Sequence, residues 1–414
     1  MEEHGDPVGD PADRPLLICD LTQSYSATAG GGVGTYLREK RDHVLAHTPH
    51  RLLQIVPGPV NRLTIDGRHI FAEVAARPVR GSPDYRFIVR TRAVRDLLAQ
   101  WRPDVIESLC PWILPWTAIR HRRAFPDTTL VAGYRTDFPN AHVYRVGRDL
   151  FGKTGARVCR TLTWGYAGVT YRAFDHVYTL SEDARVALAQ RTVTRTSVLP
   201  LGVDPERFSP DRRDAGYRAE LGLSNRGPLL IYAGRIDNEK RADRLVAMMR
   251  HLPRDLDAAL VMIGDGKLRA PLIERTRGLP ILLPGYEPDR ARLARALASS
   301  DIYVSAMADE TFGMSVLEAQ ASGLPVVGVA GGAMRDRVPS GTGLLGPVDD
   351  MATMAANIVA VWDGEAAAMG RAGRALALAQ GWRRTFDTLF DEIYPAALAR
   401  TAIRLGTMPI RGHP

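Results

Sequence analysis

Short apolar runs alternating with helical stretches, in two successive series, constrain this chain more than any other feature. The first run, Leu16-Leu17-Ile18-Cys19-Asp20-Leu21, leads through Gly30-Gly31-Gly32-Val33-Gly34 into a helix-like stretch that begins at Thr35. Further runs lie at 51–56, 105–109, 129–134 and 176–180, with helical segments such as 91–101 and 181–191 between them. Short continuous apolar runs suit strands buried on both faces. Strand–helix alternation predicts a parallel sheet covered by helices. After the turn-rich Leu199-Pro200-Leu201-Gly202-Val203-Asp204-Pro205 the pattern restarts, with strands expected at 229–234, 258–264, 281–285, 302–305 and 326–329. Helices are expected at 291–299, 314–322 and 385–404. A length of 414 residues suits two domains. The expected class is α/β, two doubly wound parallel-sheet domains. The expected organisation is a disordered leader over 1–14, a first domain over 15–205, a linker over 206–227, a second domain over 228–384 and a closing helix and tail over 385–414.

Composition excludes several classes. The three cysteines, Cys19, Cys110 and Cys159, are too few and too widely spaced for a disulfide framework or a zinc site, and they fit a reducing cytosol. The polar opening reads as a leader and not as a signal peptide. No apolar run approaches the roughly 20 residues of a membrane span. The formal charge of +8 is spread along the chain and not blocked into tails. No recognised nucleic-acid motif accompanies it, so no nucleic-acid partner is expected. A cytoplasmic protein is expected.

Ligands of open α/β sheets bind beyond the carboxyl ends of strands, and two facing sheets make a cleft there. Gly234-Arg235-Ile236-Asp237-Asn238-Glu239-Lys240 follows a strand and precedes a helix. Free N–H groups at a helix start already favour an anion, and Arg235 and Lys240 add two cations, which suits a diphosphate. The competing account pairs Arg235 with Asp237 or Glu239 in a solvated turn. Glu310 precedes a second helix, expected to begin at Phe312–Ser315, and Glu318 lies inside it. Two carboxylates so spaced suit the hydroxyls at the two ends of one ligand. A capping Glu310 and an exposed Glu318 are the alternatives.

Gly234-Arg235 with Lys240, then Glu310 and Glu318 eight positions apart, then Ala321-Ser322-Gly323-Leu324-Pro325-Val326-Val327, resemble the retaining glycosyltransferases of GT-B fold, family 4 (glycosyl transferases group 1). Leu199–Asp204 with Phe208 is similar to that family's inter-domain segment, and Gly30–Gly34 to its first glycine loop. The resemblance spans nearly the whole chain in the right order. It implies an N-terminal acceptor domain and a C-terminal nucleotide-sugar domain. Arg235 and Lys240 would hold the donor diphosphate. Glu310 would meet hydroxyls of the donor sugar, and Phe312, Gly313 and Met314 would offer N–H groups. Glu318 would bind the ribose, and Gly34 would let the N-terminal loop approach the diphosphate. The implied reaction moves a hexose (glucose, mannose or N-acetylglucosamine) from a nucleoside-diphosphate sugar, a co-substrate and not a cofactor, to a hydroxyl acceptor that is a lipid, glycan or secondary metabolite. The closing helix would cross back to the first domain.

Asp255-Leu256-Asp257 matches the metal-binding D-x-D of other transferases, but it precedes a strand, so no metal is expected. Where relatives carry a His in the first domain, this chain has Arg135, which cannot act as a base but suits an anion. Asp137 and His142 are further acceptor-side candidates, with a cap and a surface-loop histidine as their plainer accounts. Over 135–195, Lys and Arg outnumber Asp and Glu two to one, and Trp164, Tyr166, Tyr171 and Phe174 are interspersed. In related enzymes with lipid acceptors such a surface touches the membrane; helix packing of these aromatics is the favoured account here. A sugar-nucleotide 2-epimerase of the same fold is the first alternative. An NAD-dependent oxidoreductase is the second, but Gly30–Gly34 lacks the G-x-G-x-x-G spacing and no acidic residue closes the second strand.

Overall fold

The computed structural model describes residues 14–26, 31–79, 82–224 and 226–407; Gly30, the tail from 408 and all of the leader but Arg14 lie outside them. Two sheets organise the chain. The first runs in the order Thr196–Val198, His176–Thr179, Thr129–Tyr134, Val105–Ser108, Leu17–Leu21, Arg51–Gly58, His69–Ala75 and Arg62–Asp66. It is parallel except for the last pair. The second runs Ile281–Gly285, Ala259–Ile263, Leu229–Ala233, Ile302–Ser305, Val326–Val329, Gly343–Gly346 and is parallel throughout. Every residue of Leu17–Leu21 and of Leu229–Ala233 is buried. Each such Leu or Ile contributes about 1.5–3 kcal/mol by leaving water. That is why these central strands stand out as apolar runs.

The structure adds elements that carry no such run. Arg62–Asp66 is exposed along its whole length and pairs with His69–Ala75 through a two-residue turn. Gly67 takes φ 54° there, as a Gly-first hairpin loop requires. The edge strands Thr196–Val198 and Gly343–Gly346 hold too few apolar residues to register as runs. Residues 206–224 are not extended. They hold a 3-10 turn at Pro210–Arg212 and a helical turn at Tyr217–Glu220, and Asp214 pairs with Arg295 of the helix Arg290–Ala298 at 2.7 Å.

The chain returns beside its own crossing point. Val203 N–H donates to the Gln380 carbonyl at 2.9 Å. The expected single helix over 385–404 begins earlier, at Trp382, and is broken into Trp382–Thr388, a π-helical turn Leu389–Ile393 and Tyr394–Leu405. Pro395 explains the break, since it has no N–H to give the preceding turn. The last helix lies on the first sheet, where Thr401 and Thr129 share a hydrogen bond of 2.9 Å and Arg400 Nη1 donates to the Asp175 carbonyl at 2.8 Å.

Beneath that helix is a charged cluster with no solvent access. Lys40, from the helix Gly32–His47, donates to Asp20 Oδ1, to Glu107 Oε2 at 2.7 Å and to Tyr394 Oη at 2.8 Å. Glu107 also accepts from Tyr36 at 2.7 Å, Tyr178 at 2.6 Å and Tyr394. Burial raises the Glu107 carboxyl, but the Lys40 ammonium and the tyrosine hydroxyls outweigh it and hold it below the usual range. Burial pushes the Asp20 carboxyl up, because it has only a share of Lys40 and one bond from Gln54.

Candidate active site between the lobes

The second sheet presents its strand ends to the cleft through two loops. The first follows Leu229–Ala233. Tyr232 Oη donates to the Arg235 carbonyl at 2.7 Å, and Ile236 N–H to the Asp265 carbonyl at 2.9 Å, which fixes the loop over the sheet edge. A Cβ at Gly264 would lie 1.8 Å from the Gly234 carbonyl oxygen, so only glycine lets these loops touch. Arg235 pairs with Asp237 at 2.6 Å and Glu239 at 3.1 Å, the competing arrangement foreseen for it, and its side chain remains 45% exposed. Lys240 reaches the other way, to Glu310 Oε2 at 3.0 Å. Burial raises the Glu310 carboxyl, but Lys240 and the N–H groups of Gly313 and Phe312 together hold it below the usual range. The helix starts at Met314, as the expected span 314–322 has it, because Gly313 at φ 81° turns the chain into it. Phe312 is buried under the Arg337 guanidinium. Glu318 is also buried and paired with Arg290, so the exposed alternative fails.

The first sheet supplies the facing wall. Gly34 is not in a loop: the helix begins at Gly32, and a Cβ at Gly34 would make only ordinary contacts at 3.5 and 3.7 Å. The crowded glycine is Gly31, at φ 156°, where a Cβ would sit 2.9 Å from Tyr85 Oη. Gly32 faces Met314 across the cleft, with 3.7 Å between a built Cβ and the Met314 side chain. Arg135 is buried, stacks on the Tyr36 ring at 4.1 Å and leaves Nη1 without a partner. Asp137 accepts from Tyr134 Oη at 3.1 Å and from Asn140 N and Nδ2 at 3.4 and 2.7 Å, a cap on the turn that follows. His142 corrects the surface-loop reading. It lies in the π-helical turn Pro139–Val143, half buried, with Nδ1 unpartnered. Burial lowers its imidazole, with Arg145 and Arg235 adding to the effect against Glu239.

The two walls border an open cavity of about 210 Å³. Arg135, Asp137 and Asn140 line it from the first lobe, and Asp309, Glu310 and Asp336 from the second. Glu310 thus meets Arg135 and Asp137 in one space. His142, Arg235, Lys240 and Glu318 are not part of its lining. Sequence reading missed Arg145, whose Nη2 donates to Glu239 Oε2 at 3.3 Å across the cleft. No local signal marks it among the arginines of its stretch. Asp255 and Asp257 lie in a turn ahead of the strand Ala259–Ile263, away from its cleft end. Among the described residues no group of three His, Cys, Asp or Glu is placed to hold a metal ion.

Two facing parallel-sheet lobes with a cleft at their strand ends define the GT-B class of glycosyltransferase. The sucrose-phosphate synthase of Thermosynechococcus elongatus shares this fold, with a TM-score of 0.74 at 20% identity over 92% of this chain and 100% of that one. Family models described as Glycosyltransferase Family 4 and Glycosyl transferases group 1 match residues 30–207 and 227–363. A GDP-mannose-dependent alpha-mannosyltransferase of Mycolicibacterium smegmatis is 30% identical over 396 residues, 94% of this chain and 100% of that protein. A GDP-mannose-dependent alpha-(1-6)-phosphatidylinositol dimannoside mannosyltransferase of Mycobacterium tuberculosis is 30% identical over 326 residues, 75% of this chain and 79% of that protein. The chain belongs to this family, the group 1 (family 4) glycosyltransferases, and is a glycosyltransferase.

Proposed function

We propose that the chain moves a hexose, with retention and without a metal, from a nucleoside-diphosphate sugar to a hydroxyl acceptor. Mannose from GDP-mannose is the first candidate, on the printed names of its mannosyltransferase relatives. The observation that carries the reading is the Lys240–Glu310 pair beside Arg235 on the cleft wall. In the proposed step the bond between the anomeric carbon and the β-phosphate oxygen breaks. Negative charge collects on that phosphate, where Arg235 and Lys240 stabilise it as fixed cations. Glu310 meets sugar hydroxyls and opposes the positive charge growing at the anomeric carbon. The acceptor oxygen bonds to that carbon on the same face, and its proton passes to the departing phosphate. Phe312, Gly313 and Met314 offer N–H groups, Glu318 takes the ribose once Arg290 yields, and Arg135, Asp137 and His142 face the acceptor side.

A thermal-shift panel of GDP, UDP, ADP, their sugar conjugates and NAD, with EDTA throughout, tests this. Stabilisation by GDP and GDP-mannose is the expected result. Stabilisation by UDP or ADP compounds alone would reassign the donor, and a response to NAD alone or to nothing would overturn the reading.

Peripheral contact with a membrane is a second part of the proposal, on a specific observation. Trp164, Tyr171 and Phe174 are buried, as the packing account holds. Aliphatic residues of the same stretch are not. The helix Tyr144–Arg172 kinks at Gly152, and beside the kink Leu150 and Phe151 are 67% and 66% exposed. Arg148 and Lys153 flank them and are exposed too. An apolar tip with basic neighbours suits an anionic lipid surface. Among the described residues no helix is long and apolar enough to cross a membrane. In flotation the protein is expected to rise with anionic vesicles and less with neutral ones, and Leu150→Ser with Phe151→Ser to weaken binding roughly tenfold. Equal recovery of variant and wild type would discard the contact.

A further inference from the structure

Arg145, Glu239 and Arg235 form a chain of charge that bridges the two lobes. Glu239 Oε1 lies 3.1 Å from Arg235 Nη2 on its own lobe, and Glu239 Oε2 lies 3.3 Å from Arg145 Nη2 on the opposite lobe. The three side chains are partly exposed, at 45%, 21% and 32% for Arg235, Glu239 and Arg145. A carboxylate between two guanidinium groups occupies the position an oxyanion of similar size and charge would take. Guanidinium prefers phosphate and carboxylate alike, through the same planar fork of donors. Lys240 repeats the pattern, held by the Glu310 carboxylate. All three cations of the loop after Leu229–Ala233 therefore carry a carboxylate partner, Arg241 pairing with Asp349 at 2.8 Å. Two like-charged guanidinium groups would otherwise repel across the cleft.

We propose that Arg145 completes the donor site from the first lobe. The terminal phosphate of the nucleoside diphosphate takes the place of the Glu239 carboxylate between Arg145 and Arg235, and Glu239 holds the two arginines in position until it arrives. The inference rests on the donor reading above and assigns a charged phosphate contact to a side chain of the first lobe. It also makes the lobe-to-lobe contact depend on the ligand. With the phosphate in place both arginines bind one anion, and the cleft is held shut by the substrate itself.

The test compares GDP with GMP, which lacks that phosphate, by titration calorimetry on the full chain. Arg145→Ala is expected to weaken GDP about tenfold, the worth of one charge-assisted hydrogen bond, and to leave GMP within about twofold. Arg145→Lys should recover part of the loss, since it restores the charge without the fork. Glu239→Gln removes the competing carboxylate and should tighten GDP severalfold. In turnover, Arg145→Ala should raise the donor KM more than it lowers kcat. Equal GDP affinity in wild type and Arg145→Ala would overturn the proposal. So would an equal loss for GDP and GMP, which marks a structural role, or a rise in the acceptor KM alone. Wild-type protein that binds none of GDP, UDP and ADP would overturn the donor reading and this inference with it, whereas wild-type binding with an indifferent Arg145→Ala overturns this inference only.

Discussion

Lys240→Met is expected to lower turnover at least about tenfold, toward the roughly 10²–10³-fold loss seen when a fixed transition-state charge is removed. The fold should survive. Lys240 sits in a loop at the cleft wall, its side chain 23% exposed, and the N–H of the same residue still anchors the loop through Asp237 Oδ1 at 2.9 Å. The substitution has a second effect, because Glu310 loses its one ion-pair partner among the described residues while its side chain is 10% exposed. A carboxylate stranded in that way costs stability. The double variant Lys240→Met with Glu310→Gln separates the two effects. It should regain most of the lost melting temperature and none of the lost turnover. Glu310→Ala alone should fall at least about tenfold in turnover as well, since it removes the group proposed to oppose the charge at the anomeric carbon while Lys240 remains. Near-normal turnover in Lys240→Met and in Glu310→Ala would refute the donor-site assignment. The assay is initial rate at saturating donor, read beside the melting temperature of each variant.

The largest stability effect is expected at Lys40. Lys40→Met leaves Asp20 and Glu107 as charges with no counter-ion and no water. Breaking a buried ion pair from one side costs about 3–5 kcal/mol. For a lobe of this size that lowers the unfolding midpoint by roughly 10 °C. The two carboxylates are not equally exposed to the loss. Glu107 keeps three tyrosine hydroxyls, whereas Asp20 keeps one bond from Gln54 at 3.0 Å. Asp20→Asn in the Lys40→Met background should therefore restore about half of the midpoint, and Glu107→Gln less. An unchanged midpoint in Lys40→Met would show that the cluster contributes nothing to the fold. Because Tyr394 brings the closing helix into the same cluster, removal of residues 385–414 should lower stability further.

The residues of the wall proposed for the donor were legible because their spacing is local. Gly234, Arg235 and Lys240 follow one strand, and Glu310 and Glu318 bracket the start of one helix, so a short window of sequence contains each group. The acceptor wall was less legible. His142 reads as a loop residue until the helix behind it is seen to begin at a π-helical turn, and Arg145 is one arginine among many until Glu239 is found opposite it. Gly34 was read as part of a loop, whereas the helix already begins at Gly32 and the tight spot is Gly31 against Tyr85, since a run of glycines does not say where the helix starts. The buried cluster did leave a trace. Asp20 and Glu107 each interrupt an apolar run, and a charge inside such a run must find a partner, but neither run says that the partner is Lys40 or that Tyr394 arrives from the far end of the chain.

What the sequence by itself determined, then, is the set of central strands, the two-lobed parallel architecture and the loops that follow Leu229–Ala233 and Ile302–Ser305. All of these depend on hydrophobic burial and on contacts a few positions apart, which a linear pattern records. Tertiary structure alone decided the exposed hairpin Arg62–Asp66 with His69–Ala75, the return of Tyr394–Leu405 to the first lobe, the exposed tip at Leu150 and Phe151, and the bridge from Arg145 through Glu239 to Arg235. Each of these joins or exposes surfaces distant in sequence, and charge pairing across a cleft depends on distance in space, for which the order of residues holds no record.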